Sequence, residues 1–185
     1  IFTTTDPKAK DDDKENGSYR FPSISFVSFT DRRIAIRGAF RAIKIAEKLQ
    51  LDIVHNQTEF SLGVMGKVVA HHLNIPCLHT YHTMYQDYLH YIANGHILKP
   101  KDVGRLAHIY LHNISGVVAP SERVLETMRS YNVDAPIRII PTGINLRVYG
   151  QRDSLEEKNA LRAKWGYKPD TPVLLSLSRL AFEKN

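Results

Sequence analysis

Short runs of branched, aliphatic and aromatic residues recur along the chain, and most are followed by a longer stretch with apolar positions every three or four residues. Runs of the first kind are buried strands, and stretches of the second kind are helices laid on a sheet. The runs are Ile1 to Thr5, Phe21 to Phe29, Leu51 to His55, Ile75 to Leu78, Gly116 to Ala119 and Ile137 to Ile140. The periodic stretches are Asp31 to Gln50, Phe60 to Leu73, Lys101 to Asn113, and Pro120-Ser121 to about Tyr131. Strand and helix alternate, which implies right-handed βαβ units, a parallel sheet and an α/β, Rossmann-like fold. Thr58 is a candidate N-cap for the second helix, and Gly63 and Gly66 predict that this helix approaches the sheet closely.

After Ile144 the pattern changes. Asn145 to Asp153 is polar and irregular and reads as a linker. Ser154-Leu155-Glu156-Glu157 fits a capping box that starts a helix ending at Gly166. Thr171-Pro172 leads an apolar strand from Val173 to Leu177, then a loop from Ser178 to Asn185. The predicted organisation is a partial Rossmann-like domain over residues 1–144, a linker and helix over 145–170, and the start of a second domain over 171–185. A chain that opens mid-strand at Ile1 and closes inside a loop reads as an excerpt of something longer.

One stretch does not fit a core. His79 to Tyr91 holds three of the nine histidines and four of the nine tyrosines, directly after the apolar run Ile75-Pro76-Cys77-Leu78. Polar aromatics at a strand end suit the floor of a cleft, because open α/β sheets bind ligands beyond the carboxyl ends of their strands. The polar strand-end loops, His55 to Glu59, His79 to Tyr91, Ser121-Glu122, Thr142-Gly143 and Ser178 to Asn185, share one sheet edge and converge.

Charge adds two features. At about 100° per residue, Arg33, Arg37, Arg41, Lys44 and Lys48 fall on one helical stripe about 80° wide. Such a stripe is either the ordinary solvated face of a sheet-covering helix or a surface that adsorbs to anionic lipid. In the last loop, Arg179 and Lys184 are either exposed cations or, with a helix N-terminus behind them, a site for a diphosphate. The net charge of +6 and the pI of about 9.4 agree with an anionic partner without choosing one.

Composition closes other routes. With 43% hydrophobic and 24% charged residues, the chain is of ordinary globular make-up. The single Cys77 excludes an internal disulfide framework and fits a reducing compartment. No run approaches the ~20 apolar residues of a membrane span. Asp11-Asp12-Asp13 lacks the alternating spacing of a calcium loop. The histidines come without a zinc pattern, and neither a nucleophile elbow nor a Walker loop is present. No metal or cofactor is expected. The tyrosines cluster away from the basic stripe, so nucleic acid is not the expected partner.

Four motifs in order carry a resemblance. Ser178-Arg179-Leu180-Ala181-Phe182-Glu183-Lys184-Asn185 resembles the Arg-Leu-x-x-Glu-Lys element of retaining glycosyltransferases of family 4, which have the two-domain GT-B fold. Ile139-Ile140-Pro141-Thr142-Gly143-Ile144 resembles that family's interdomain motif. His55 to Gly63 and Tyr81 to Tyr91 are similar to the branch that glucosylates diacylglycerol in Gram-positive bacteria. Asn56 departs from the form usual there, and the family's glycine-rich first turn and paired-glutamate motif are not among these residues.

The resemblance implies that residues 1–144 are the partial N-terminal, acceptor-binding domain of a GT-B enzyme and that 171–185 begin its nucleotide-sugar-binding domain with the first strand, inactive as this excerpt alone. It implies transfer of a hexose, glucose from UDP-glucose, to a membrane lipid such as diacylglycerol with retention of configuration. The open alternatives are a family 4 enzyme with a soluble acceptor, a GT-B epimerase, and a non-catalytic basic docking module. His82 corresponds to the catalytic, hexose-side histidine, and Arg179 and Lys184 to the donor diphosphate site. Thr58, Glu59, Tyr85, Asp87 and Tyr88 correspond to the acceptor and sugar side, and Thr142 and Gly143 to the interdomain turn. Arg33, Arg37, Arg41, Lys44 and Lys48 correspond to a membrane-docking face. The implied partners are a UDP-sugar, a lipid acceptor and an anionic membrane, at the inner face of the cell membrane.

Overall fold

The computed structural model describes residues 1–6, 8–9, 12–26, 29–91, 99–150 and 152–178, in two compact units, Ile1–Pro141 and Thr142–Asn185.

In the first unit, β1 (Phe2–Thr4) pairs in parallel with β2 (Tyr19–Phe21), with Phe2 opposite Tyr19. Among the described residues between them, isolated bridges form at Asp6–Ala9 and Asp13–Ser18. Next comes an antiparallel hairpin of β3 (Ser23–Phe26) and β4 (Phe29–Ala35). The predicted single strand from Phe21 to Phe29 is therefore split among three.

The helix expected from Asp31 begins only at Ala39: α1 spans Ala39–Leu49. Two facts move the boundary. Arg33 lies opposite Ser25, and its guanidinium donates to Ser23 Oγ (2.9 Å), Ser25 Oγ (3.2 Å) and Ser23 O (2.8 Å), fastening the hairpin. Gly38 then takes φ 123°, a conformation L side chains rarely adopt, and a Cβ there would sit 2.5 Å from the Phe21 ring. The five-cation stripe is thus broken. Only Arg41, Lys44 and Lys48 ride on α1.

The main sheet follows, with β5 (Val54–Asn56), α2 (Ser61–Leu73), β6 (Cys77–Thr80), a 3-10 segment Tyr85–Tyr91, α3 (Pro100–Leu111), β7 (Gly116–Ala119), α4 (Glu122–Ser130) and β8 (Ile137–Ile139). The four strands are parallel in the order β5-β6-β7-β8, with Val54 opposite Cys77, Leu78 opposite Gly116 and Val117 opposite Ile137. The α/β, Rossmann-like expectation holds here, because parallel neighbours require helical crossovers. Two cores flank it. One gathers Cys77, Tyr81, Leu111, Val117 and Met128, the other Phe21, Ala42, Ala46, Met65 and Val69. The close approach of α2 is severe: a Cβ on Gly63 would meet Thr58 O at 1.8 Å, and one on Gly66 would meet Asn56 Oδ1 at 2.0 Å.

In the second unit the expected linker contains a short helix, α5 (Leu146–Tyr149), because the Asn145 side chain accepts from Arg147 N at 3.1 Å and caps it. The capping box opens α6 (Leu155–Lys164), with Glu157 N on Ser154 Oγ at 3.1 Å and Ser154 N on Glu157 Oε2 at 2.7 Å. Val173 to Leu177 does not form the expected first strand of a second domain: Leu174, Leu175 and Leu177 are 86% or more exposed. A strand needs a hydrogen-bonded neighbour, and no strand among the described residues lies beside it. No helix among the described residues is long and apolar enough to cross a membrane.

Candidate functional site

The carboxyl ends of β5 and β6 release two loops, and the polar residues of both meet. β6 is buried on both faces because helices cover the sheet, so His79 enters the interior at 0% exposure. A buried imidazole needs a partner. His79 Nε2 lies 2.9 Å from Glu59 Oε1, supplied by the loop after β5. The other carboxylate oxygen accepts from Tyr85 OH at 2.5 Å, so one side chain joins a strand, a loop and the 3-10 segment. His79 Nδ1 is buried with no hydrogen-bond partner among the described residues.

Aromatic rings enclose this strut. Tyr110 on α3 stands edge-on to His79 at 5.2 Å between centroids, and Tyr81 stands edge-on to Tyr85 at 6.0 Å. Burial pushes the hydroxyls of Tyr81, Tyr85 and Tyr110 well above the ordinary phenol range, and the Glu59 charge adds to each rise. All three remain donors at neutral pH. Tyr110 OH donates to Thr58 O (3.1 Å) and accepts from Asn56 Nδ2 (3.2 Å), which also donates to Gly63 O (3.0 Å). Lys67 closes the back of α3 by donating to Tyr110 O and His112 O, and partial burial holds its amine below the usual lysine range.

The open side of the wall is polar. His82, exposed just past β6, places Nε2 2.5 Å from Gln57 Oε1. His55 Nε2 lies 2.7 Å from Thr80 Oγ1. Desolvation, and then the positive potential of His79 and His82, lowers the His55 pKa. Asp87 accepts from Arg123 on α4 at 3.0 Å, and Tyr131 OH donates to Gln86 at 2.9 Å, so the 3-10 segment is tied to the next crossover. Among the described residues, no three His, Cys, Asp or Glu side chains are placed to share a metal ion.

The structure therefore brings His82, Thr58, Glu59 and Tyr85 into one wall, with Asp87 and the half-buried Tyr88 on the adjoining 3-10 segment. Glu59 points inward, with 15% of its side-chain surface exposed. Thr58 does not cap α2: the N-cap is Phe60, and Thr58 Oγ1 instead accepts from Phe60 N at 3.3 Å. Thr142 and Gly143 are exposed in the second unit. Arg179 and Lys184 lie outside the described residues. Arg37 and Lys44 are exposed, whereas Arg41 pairs with Asp12, donates to Arg20 O and lies over the Phe21 ring. Sequence reasoning gave no role to Gln57, Tyr110 or Arg123, and noted Asn56 only as a departure from the usual form. Gln57 and Asn56 had a visible signal, being polar residues at a strand end. Tyr110 and Arg123 come from helices whose pattern reads only as amphipathic.

Comparison with known proteins gives the same direction. Residues 1–148 match the family model Glycosyltransferase Family 4. Alpha-monoglucosyldiacylglycerol synthase of Streptococcus pneumoniae is 46% identical over 187 aligned residues, covering 100% of this chain and 42% of that protein. The protein of the same name from Acholeplasma laidlawii is 34% identical over 78% of this chain and 38% of its own length. A D-inositol 3-phosphate glycosyltransferase of Xylanimonas cellulosilytica is 26% identical over 80% of this chain and 36% of its own. The chain thus spans about two-fifths of the length of the curated relatives it matches.

Proposed function

The chain belongs to glycosyltransferase family 4, and from that premise we propose that the whole protein transfers glucose from UDP-glucose to diacylglycerol, retaining the anomeric configuration. One observation carries the reading: the 46% identity to an alpha-monoglucosyldiacylglycerol synthase along the full chain, against 26% to a transferase named for inositol phosphate.

In this reading the wall at the ends of β5 and β6 receives the sugar and the acceptor. His82 is its accessible imidazole and hydrogen-bonds the hexose at the reacting centre. Glu59 and Tyr85, already bonded to each other, shape the acceptor side, with Tyr88 and Asp87 beside them. Arg179 and Lys184 hold the diphosphate and stabilise the departing UDP, so electrostatics and positioning supply most of the rate. The acceptor is a lipid, so the protein works at a membrane surface. Arg37, Lys44 and Lys48 with the 85%-exposed Phe40 supply charge and an apolar anchor suited to the anionic inner face of the cell membrane.

The test uses full-length protein, labelled UDP-glucose and vesicles containing diacylglycerol. The expected product is a lipid-soluble glucoside with an α linkage. Label transferred only to water-soluble acceptors, or no transfer, overturns the assignment. In the same assay His82→Ala should lower kcat about 100-fold or more with an unchanged unfolding midpoint. Near-normal turnover removes His82 from the chemistry.

A further inference from the structure

The loop after β5 is held on both sides of a single exposed residue. Before it, Asn56 is buried and donates to Gly63 O and to Tyr110 OH. After it, Thr58 O accepts from Tyr110 OH, and Glu59 is engaged by His79 and Tyr85. The residue between these anchors is Gln57. Its side chain turns outward to place Oε1 2.5 Å from Nε2 of His82.

A neutral imidazole has one donor and one acceptor nitrogen, and a carbonyl oxygen can only accept. The Gln57 contact therefore selects the tautomer with the proton on Nε2. It also fixes the plane of a ring that is otherwise open to solvent on a loop. The other nitrogen, Nδ1, is left with its lone pair and can accept from a sugar hydroxyl.

We propose that Gln57 is a positioning residue that orients His82 and sets its tautomer for the sugar. The claim rests on the reading of His82 as the hexose-side residue. It adds a partner that neither periodicity nor motif singled out. Other titratable groups stand nearby: His55 feels the charge of both His79 and His82, while the Glu59 carboxylate is held by His79 and Tyr85. These groups are unchanged in both Gln57 variants, so their contributions are common to that comparison.

The experiment compares wild type, Gln57→Ala, Gln57→Glu and His82→Ala in the full-length protein with UDP-glucose and diacylglycerol vesicles. Gln57→Ala removes one hydrogen bond to the ring and should lower kcat about tenfold, with KM for UDP-glucose within about twofold. Gln57→Glu keeps an acceptor at the same reach and adds a charge that favours the imidazolium. It should recover part of kcat and move the acidic limb of the pH profile upward. The imidazole signal that disappears in His82→Ala identifies this ring by NMR, and its titration midpoint should rise in Gln57→Glu whatever the turnover. A Gln57→Ala enzyme with wild-type kcat, or a His82 midpoint unmoved in Gln57→Glu, overturns the pairing. If His82→Ala itself turns over normally while the midpoint moves, the contact stands and the catalytic reading of His82 fails.

Discussion

Glu59 and Asp12 are carboxylates of nearly equal exposure, 15% and 17% of their side-chain surface, and each ties a loop to a distant element. Their partners differ. Glu59 is held by a fully buried imidazole and a half-buried phenol, in a wall of aromatic rings. Asp12 is held by Arg41, itself 41% exposed, and by Arg20 N at 2.8 Å. Remove Glu59 and the buried His79 loses its partner, while Tyr85 keeps only Thr83. Remove Asp12 and water replaces it. A carboxylate's own exposure says little; the accessibility of what it bonds sets its worth.

The largest expected effect comes from breaking the first strut. Glu59→Ala leaves His79 with neither nitrogen partnered among the described residues and takes the carboxylate from Tyr85 OH, a loss of about 3 kcal/mol. Urea unfolding of the full-length protein measures it. Tyr85→Phe removes one donor while the carboxylate keeps His79, and should cost nearer 1 kcal/mol. If the two variants are equally mild, the wall is wetter than its geometry indicates.

Asp12→Ala should cost under about 1 kcal/mol, and the wild-type advantage should shrink further in added salt, as expected for a solvent-facing ion pair. Its pH dependence has a fixed sign. The hydrogen bond from Arg41 first, and that from Arg20 N next, hold the Asp12 carboxyl below its ordinary 3.8. The pair therefore contributes fully above that value and is lost as pH falls through the folded pKa. Matched acid titrations of wild type and Asp12→Ala, followed by fluorescence, should converge below pH 3.8. Curves that stay parallel through that range contradict the pairing.

The same contrast explains what the sequence could and could not reveal. The sheet was legible because its strands and crossovers obey local rules: an apolar run makes β7, and Ser154 with Glu157 makes the cap of α6. The break between β4 and α1 was not. Its helical charge period is genuine, but Arg33 bonds across a hairpin to Ser23 and Ser25, and long-range pairing overrides periodicity. The placement of His82 beside Thr58 and Glu59 followed from strand-end topology. The inward turn of Glu59 did not, since its cause is the need of His79 for a partner 20 residues further along. Val173 to Leu177 shows the converse: a strand-like pattern that pairs with no strand among the described residues.

His55 offers the smallest and most specific probe of the wall. It stands at the rim, bonded to Thr80, with its pKa lowered from 6.5 chiefly by desolvation and then by the nearby charge of His79 and His82. Below that value the unfolded chain binds a proton that folded His55 resists, so stability is lost as pH falls; above it there is no penalty. His55→Gln keeps a polar contact and cannot titrate. Relative to wild type, this variant should therefore gain urea resistance as pH drops from about 7.5 to about 5.5. In His82→Ala one of the two repelling rings is gone, so the folded His55 pKa should rise and the wild-type acid loss should diminish. If it is unchanged, desolvation and His79 set the His55 pKa without His82, and His82 stands too far from β5 to be held by the residue that follows it.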